Sequence, residues 1–161
     1  MEEEFKVITG FDTYEISNLG NVRNIITGRL LKLCLSTAGY HRVCLNKKCH
    51  NVHRFVALAF IENPENKEFV DHIDKNRTNN NVNNLRWATR TENNINKTLR
   101  KDCITGIAGV SFYKRLNKWC VRIHINGIKK HIGYYIDFDE AVKVRKEQED
   151  IHYQNFKPTH K

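Results

Sequence analysis

The stretch from Asp71 to Asn93 reads Asp-His-Ile-Asp-Lys-Asn-Arg-Thr-Asn-Asn-Asn-Val-Asn-Asn-Leu-Arg-Trp-Ala-Thr-Arg-Thr-Glu-Asn. A carboxylate and an imidazole stand side by side at its start, in Asp71 and His72. A loop rich in asparagine follows, with this residue at positions 76, 79, 80, 81, 83 and 84. Carboxylate, imidazole and amide groups gathered in so short a stretch indicate a functional site.

The order of residues here predicts a strand, a second strand and a helix. Residues 69–73 form a short apolar strand interrupted by the Asp-His pair, and residues 85–88 form the returning strand. Thr89, with Glu92 three residues later, is a capping box that starts a helix near Arg90 and places Asn93 in its first turn. Neighbouring strand residues point to opposite faces, so Asp71 and His72 need an irregular strand end to share one site.

These residue types suit the hydrolysis of a phosphodiester. His72 can accept a proton from water near neutral pH. Asp71 can hold a divalent ion, and Asn93 can add a neutral amide oxygen. Such an ion stabilises the charge that grows on the phosphoryl oxygens and on the leaving oxygen.

Residues 50–97 resemble the HNH homing endonucleases of the ββα-metal fold, through Asp-His-Ile-Asp, Asn-Asn, Asn-Leu-Arg-Trp and Thr-Glu-Asn in this order. The resemblance implies that His72 is the general base and that Asp71 is a metal ligand. It also implies that Asn84 braces the loop and so orients the histidine. Asn93 is then the second metal ligand, with Asn94 and Asn96 as alternatives, and the implied ion is Mg²⁺ or Mn²⁺.

The segment ahead of this core is predicted to be rich in β-strands. Residues 14–25 read as strand, turn and strand, and the alternating runs at 31–35 and 40–45 predict further strands of a small antiparallel sheet. Residues 52–60 have helical spacing of their apolar side chains. Residues 10–23 resemble the nuclease-associated modular motif, with Phe5 in the place of its usual tryptophan. If this module touches DNA, the expected phosphate contacts are Arg23, Arg29 and Arg42; a sheet that only completes the nuclease core is the alternative.

The last third of the chain is predicted to form a three-stranded sheet backed by one helix. The strands are expected at 108–115, 118–125 and 129–135, with a hairpin at Asn126-Gly127. Asp137 is a good N-cap for a helix that ends near Tyr153. Trp119, Val121, Ile123 and Ile125 alternate with Cys120, Arg122 and His124. The apolar set can therefore pack on that helix while the other face shows its cation and imidazole to solvent.

This last segment resembles an Apetala-type DNA-binding domain over residues 104–152, through Thr-Gly-Ile-Ala-Gly-Val at 105–110, Lys-Trp at 118–119 and Gly-Tyr at 133–134. Residues 104–133 contain no acidic side chain. A basic sheet face can enter the major groove. The expected DNA contacts of this domain and of the core are Arg86, Arg115, Lys118, Arg122, Lys129 and Lys130.

The charge distribution supports a polyanionic partner. Of the net charge of +9, residues 1–48 contribute +2, residues 49–96 contribute 0 and residues 97–161 contribute +7. A localised basic excess is typical of nucleic-acid binding, although a solvated lysine-rich surface has the same composition.

Cysteine spacing and hydropathy limit the class of protein. The five cysteines are odd in number and include no Cys-x-x-Cys pair, so we expect buried apolar thiols rather than a disulfide framework or a zinc ribbon. No apolar run could span a bilayer, and the first residues do not resemble a signal peptide. The sequence therefore predicts a soluble, intracellular protein.

Together these observations predict an α+β protein with three parts: a modular DNA-binding motif at 1–48, an HNH core at 49–97 and an Apetala-type domain at 104–153. The predicted function is that of a site-preferring, metal-dependent DNA endonuclease of homing type. Its partner is double-stranded DNA, with no membrane and no small-molecule cofactor, and the layout resembles mobile genes of phages and large DNA viruses. The alternatives are a regulator that binds DNA through the Apetala-type domain without cleaving it, and a structural RNA- or DNA-binding protein. Target site and oligomeric state stay open.

Overall fold

The computed structural model describes residues 2–96, 103–125, 127–153 and 156. The chain folds as two compact units, Met1–Asn93 and Asn94–Lys161. Both units combine small antiparallel sheets with few helices. The predicted α+β class is therefore confirmed. The sequence predicts a short basic linker at 97–103, of which only Cys103 is among the described residues. Asn126 of the predicted hairpin also lies outside them.

The first unit begins with two three-stranded antiparallel sheets. The first sheet has the order β1 (Phe5–Ile8), β2 (Phe11–Ser17) and β3 (Val22–Asn24). The second has the order β4 (Cys34–Leu35), β5 (His41–Leu45) and β6 (Lys48–Asn51). The alternating run at 31–35 forms only the two residues of β4, because Leu31 and Leu33 pack against the apolar core without pairing as a strand.

Helix α1 (Val52–Phe60) follows as predicted from its apolar spacing, and its buried residues include Val52 and Val56 at 0% exposure. The hairpin β7 (Phe69–His72) and β8 (Leu85–Ala88) comes next, and α2 (Arg90–Ile95) completes the predicted strand, strand, helix order. The α1 side chains share one core with residues of both sheets and of the hairpin. Apolar packing is thus continuous across the predicted boundary at residue 48.

The second unit is a three-stranded sheet of order β11 (Ile128–Tyr135), β10 (Lys118–Ile125) and β9 (Val110–Tyr113), followed by α3 (Phe138–Tyr153). The predicted N-cap is present, because the Glu140 N–H donates to Asp137 Oδ1 at 2.8 Å. Trp119 packs on Phe138 of the helix, with ring centroids 4.7 Å apart. The apolar face predicted for β10 therefore meets the helix.

Cys120 and Arg145 are both buried in the second unit. Cys120 is 0% exposed, as expected for a buried apolar thiol; the register puts it opposite Tyr134, on the sheet face that also carries Tyr113. Arg145 on α3 forms a buried ion pair with Glu149, and each side chain is 4% exposed. Arg145 also donates from Nε to the Ala108 carbonyl at 2.8 Å. A helical position that suits an apolar residue thus holds a paired charge.

The cysteine expectation is wrong for the first unit. Cys44 and Cys49 form a disulfide across β5 and β6, where they are direct cross-strand partners. Cys34 is exposed, and only Cys120 among the free cysteines is fully buried. Sequence spacing does not reveal this pair because strand register, rather than separation along the chain, brings the two thiols together. No helix in the described part of the chain has the length and apolar character needed to cross a membrane.

Candidate active site

The β7–β8 hairpin carries the Asp-His pair at the end of its first strand. Asp71 pairs with Arg86 and His72 pairs with Leu85 in antiparallel register. Both Asp71 and His72 are 5% exposed. β7 ends at His72, because the chain turns there with a bond from the Lys75 N–H to the His72 carbonyl at 2.9 Å. The strand end that Asp71 and His72 need in order to face one site is therefore present.

Asp71 lies against a guanidinium. Arg86 places Nε at 2.9 Å and Nη2 at 2.8 Å from the same Oδ2 of Asp71. The side chain of Arg86 is 19% exposed and that of Asp71 is 7% exposed. A carboxylate this deeply buried requires a positive partner, and the direct cross-strand register supplies one.

His72 is held by the amide of Asn80. Its Nε2 lies 3.3 Å from Asn80 Oδ1, while Asn80 Nδ2 faces the Thr78 carbonyl and His41 Nδ1, each at 3.4 Å. With the amide oriented in this way, His72 Nε2 donates the proton, so that Nδ1 carries the lone pair of the neutral ring. Asn80 is 4% exposed, which keeps this arrangement away from bulk water.

Two aromatic rings surround His72. Tyr40 and His53 have ring centroids 5.9 Å and 5.0 Å from that of His72. Burial lowers the pKa of His72, against the hydrogen bond to Asn80 and the charges of Asp74 and Asp71, which raise it. Burial also lowers the pKa of His53 to about 3, with further effects from His72 and Arg54. Both imidazoles are therefore neutral at pH 7.

Asn84 ties the loop to the strand ends. Its Nδ2 donates to Asp74 Oδ1 at 2.9 Å and to the Asn79 carbonyl at 2.8 Å, and its Oδ1 accepts from the Asp74 N–H at 3.0 Å. The Asn84 carbonyl also accepts from the Ile73 N–H at 2.8 Å. Asn84 thus fixes the loop that contains Asn80, while Asn80 contacts the histidine itself.

Asn93 lies on α2, which starts with the predicted capping box. The Thr89 N–H donates to Glu92 Oε2 at 2.6 Å, and the Glu92 N–H donates to Thr89 Oγ1 at 3.2 Å. Asn93 is half-buried, whereas its alternatives differ: Asn94 is exposed and Asn96 is 3% exposed. The half-buried position suits a ligand that must remain reachable.

The donor set of Asp71 and Asn93 fits a hard divalent ion. A carboxylate and an amide supply oxygen atoms, which Mg²⁺ and Mn²⁺ prefer over nitrogen or sulfur. The Arg86 guanidinium lies on Asp71 Oδ2, so an ion at this position would share the carboxylate with it. Two protein oxygens leave other coordination positions to water and to phosphate oxygens, as is usual for magnesium sites on nucleic acid.

Three of the four arginines expected to contact DNA from the first unit have partners inside the protein, and Arg29 is exposed. Arg23 pairs with Glu15, its cross-strand neighbour, and lies over the ring of Phe5 at 3.9 Å. Arg42 donates to the Cys49 carbonyl, and Arg86 pairs with Asp71. These arginines therefore contribute to the structure of the first unit, whatever they do with DNA.

In the second unit the cationic side chains lie mostly on one sheet face. The register pairs Arg122 with His131 and His124 with Lys129, so these four residues share the face opposite the helix. Lys118 belongs to the same face, as do His131 and Tyr134, whose tilted rings have centroids 4.5 Å apart. Lys130 is opposite Ile123 on the other face, although it is exposed. Arg115 lies in a short 3-10 turn, Lys114–Leu116, after β9.

Sequence reasoning missed three residues around the histidine: Tyr40, His41 and Asn80. Tyr40 and His41 lie some thirty residues before His72, and only the packing of the second sheet against the loop brings them near. Asn80 is one of six asparagines in the loop, so composition gives no reason to prefer it. The Arg77 guanidinium, 5.0 Å from the Tyr40 ring centroid, and its bond to the Ala38 carbonyl at 2.7 Å join the same two segments.

Comparison with known proteins identifies the family of this chain. The HNH endonuclease family model matches residues 50–95, and the NUMOD4 motif model matches residues 3–46. The solved structure of the HNH homing endonuclease I-HmuI, which binds and cleaves DNA, is similar at 33% identity and a TM-score of 0.55, covering 92% of this chain and 88% of that one. This chain belongs to the HNH endonuclease family.

Two curated relatives show how far the similarity extends. DNA endonuclease I-HmuI of Bacillus phage SP01 is 42% identical over 102 residues, which cover 60% of this chain and 59% of that protein. An uncharacterized HNH endonuclease of Acanthamoeba polyphaga mimivirus is 36% identical over 146 residues, covering 88% of this chain and 39% of that protein. The chain thus spans less than two thirds of these relatives. The predicted membership of the HNH endonuclease family is confirmed, and HNH endonucleases generally depend on a divalent metal.

Proposed function

We propose that this chain is a metal-dependent DNA endonuclease of homing type, with His72 as the general base. The observation that carries the proposal is the neutral, buried His72, whose Nε2 is bonded to Asn80 at 3.3 Å and whose strand neighbour is the buried carboxylate of Asp71. A base next to a site for hard cations is the arrangement that hydrolysis of a phosphodiester requires.

The proposed base acts through Nδ1. Because Nε2 donates to Asn80, Nδ1 holds the lone pair that takes a proton from the attacking water. The imidazolium formed in this way is stabilised by the nearby charges of Asp74 and Asp71, both of which raise the pKa of the ring. Asn80 keeps the ring in one tautomer, and Asn84 keeps the loop of Asn80 in place.

Asp71 and Asn93 are the proposed ligands of Mg²⁺ or Mn²⁺. The bound ion would supply Lewis-acid stabilisation of the charge that develops on the phosphate. Arg86 holds the Asp71 carboxylate in position from across the hairpin, through two nitrogens on one oxygen. The chain's own role at this point is thus to present a preoriented oxygen ligand.

The second unit is proposed to hold double-stranded DNA. Its fold of three strands and a helix supports the resemblance to Apetala-type domains, and its exposed sheet face carries Arg122, His124 and Lys129 beside Tyr134. The core segment 49–96 has no net charge, so we infer that cleavage depends on this more basic unit for DNA affinity. Phosphate contacts by such side chains make affinity depend on salt.

A plasmid assay tests the proposed activity. The wild type should nick or linearise supercoiled DNA in the presence of Mg²⁺ or Mn²⁺ and leave it intact with a chelator. His72→Ala should lower the rate by a factor of about 10² to 10⁴, the usual contribution of a general base. His152→Ala, at an exposed position on α3, is the matched histidine control and should cleave like the wild type. A wild type inactive with both ions over a range of salt would refute the proposal.

A further inference from the structure

Three cysteines lie on one face of the second sheet. Cys44 on β5 is directly opposite Cys49 on β6, and Cys34 on β4 is opposite Arg42, two residues before Cys44. Residues two apart on a strand share a face, so all three thiols project to the same side. The other face of β5 packs Val43 and Leu45 into the core at 0% exposure, which leaves the cysteines on the solvent side.

The three sulfur atoms are close enough to act together. Their Sγ atoms all lie within 4.8 Å of one another, and all three residues are exposed. Around a tetrahedral zinc ion with Zn–S bonds of about 2.3 Å, two sulfurs are about 3.8 Å apart. Small side-chain rotations in an exposed cluster can cover that difference. The disulfide Cys44–Cys49 occupies two of the three sulfurs in the oxidised chain.

We propose that Cys34, Cys44 and Cys49 form a site for a thiophilic divalent ion such as Zn²⁺ when the chain is reduced. A dithiol reductant would transfer two electrons and two protons to the Cys44–Cys49 disulfide, giving two protein thiols and an oxidised reductant. Zn²⁺ then binds three thiolates and releases three protons, and a water molecule completes four-coordination. The disulfide and the metal exclude each other, since both use Cys44 and Cys49.

This site is chemically distinct from the nuclease site. Asp71 and Asn93 offer hard oxygen atoms, whereas the cluster offers soft sulfur atoms that Mg²⁺ binds poorly. The cluster ties the two-residue strand β4 to the β5–β6 hairpin. β5 begins at His41, which faces Asn80 at 3.4 Å, so metal binding would stiffen the segment next to the base.

Cobalt binding to the full chain tests the proposal. The wild type is reduced with a phosphine, freed of reductant without oxygen and titrated with Co²⁺. We expect one ion per chain with an intense sulfur-to-cobalt charge-transfer band, which an oxygen site such as Asp71 does not produce. Zn²⁺ should displace Co²⁺ and bleach the band. The oxidised chain should show no band, because two of its three sulfurs are in the disulfide.

Single substitutions separate this cluster from the other thiols. Cys34→Ser should weaken Zn²⁺ affinity at least about tenfold, the scale on which even supporting residues act at zinc sites. Cys103→Ser is the matched control and should bind like the wild type, since Cys103 lies in the other unit. Zn²⁺ should also raise the thermal midpoint of the reduced wild type but not of Cys34→Ser. A reduced wild type without the band, or a Cys34→Ser variant with unchanged affinity, would overturn the proposal.

Discussion

Arg86 and Asp71 are direct cross-strand partners, and both Nε and Nη2 of Arg86 lie within 2.9 Å of one oxygen, Asp71 Oδ2. The pair gives the buried carboxylate of Asp71 a positive partner at the end of β7. It also gives Arg86 a role that differs from the phosphate contact suggested by its type alone. The carboxylate is thereby oriented before any ion binds.

Arg86→Met should destabilise the first unit. The substitution leaves the buried Asp71 carboxylate without its guanidinium, which we expect to cost about 1–3 kcal/mol in the free energy of unfolding. Millimolar Mn²⁺ should restore part of that loss. The ion should therefore raise the free energy of unfolding of Arg86→Met by more than it raises that of the wild type. Urea denaturation with and without the ion measures both effects.

The matched comparison is the double variant Asp71→Asn with Arg86→Met. If the ion pair is the cause, the double variant loses less stability than the two single losses combined. A coupling free energy below about 0.5 kcal/mol would mean that the pair adds no more than distant sites do.

The cleavage rate should depend on pH in a way set by His72. Burial lowers the pKa of His72 below its ordinary value of 6.5, so the base stays neutral, and the rate stays high, as pH falls to that value. The rate then declines as pH passes through the lowered pKa. A positive ion bound at Asp71 would also lower the pKa of His72. An acid limb above pH 6.5 would contradict this assignment.

Asn80→Ala should change two parameters at once. The maximal rate should fall by about 10-fold to 100-fold, because the ring loses its fixed tautomer and orientation. The acid limb of the pH–rate profile should move to still lower pH, since the hydrogen bond to Asn80 is one of the effects that raise the pKa of His72. Asn83→Ala, at an exposed position in the same loop, is the control. A lower rate without any shift of the acid limb of the pH–rate profile would indicate general damage to the loop.

Gly20 lies in the turn between β2 and β3 of the N-terminal sheet, and Gly20→Ala should disturb the proposed base, His72, through Asn80. Gly20 has φ +91°, and an added Cβ would lie 2.7 Å from Asn80 Cβ. Gly28, with φ +68° and nothing within 4 Å of an added Cβ, provides the control. Gly28→Ala should cost about 1–2 kcal/mol from backbone strain alone. Gly20→Ala should cost more and should also lower the cleavage rate, whereas equal effects would show that Asn80 simply moves aside.

His53 should make the first unit sensitive to acid. Burial lowers its folded pKa to about 3 from 6.5, so the folded state stays neutral while the unfolded state takes up a proton below pH 6.5. Stability is therefore full above pH 6.5 and falls towards pH 3, by about 2 kcal/mol at pH 5. His53→Phe should lose less stability between pH 7 and pH 5 in urea denaturation. Equal losses in both proteins would contradict the prediction.

Salt dependence should identify the residues that contact DNA phosphates. Lys129→Gln and Arg122→Gln, on the exposed sheet face, should each reduce the slope of log affinity against log salt by about 0.9. Lys146→Gln, exposed on the helix that covers the other face, should leave the slope unchanged. Equal slopes in all three variants would show that this face does not contact phosphate.

The sequence predicted elements well where local signals agreed. α1 begins and ends at Val52 and Phe60 as its apolar spacing indicated, and α3 starts after the Asp137 cap. The capping box of Thr89 and Glu92 is reciprocal, as its spacing requires. These features depend on residues within one or two turns of each other, so they can be read from a single chain segment.

Prediction was weakest where register decided the outcome. The Cys44–Cys49 bond follows from which residues face each other across strands. The partner of Arg86 and the face of Lys130 have the same origin. Periodicity fixes which residues of one strand share a face, but it does not state what lies opposite.

By itself the sequence determined the chemistry available to this protein: a carboxylate and an imidazole side by side, amides in the following loop, and a basic sheet. Each depends on residue type and short spacing. Tertiary structure decided how these groups are tuned. It placed Asn80 on His72, Arg86 on Asp71 and the turn at Gly20 against Asn80. Those relationships join segments far apart along the chain, and only the packing of a common core brings them within hydrogen-bonding distance.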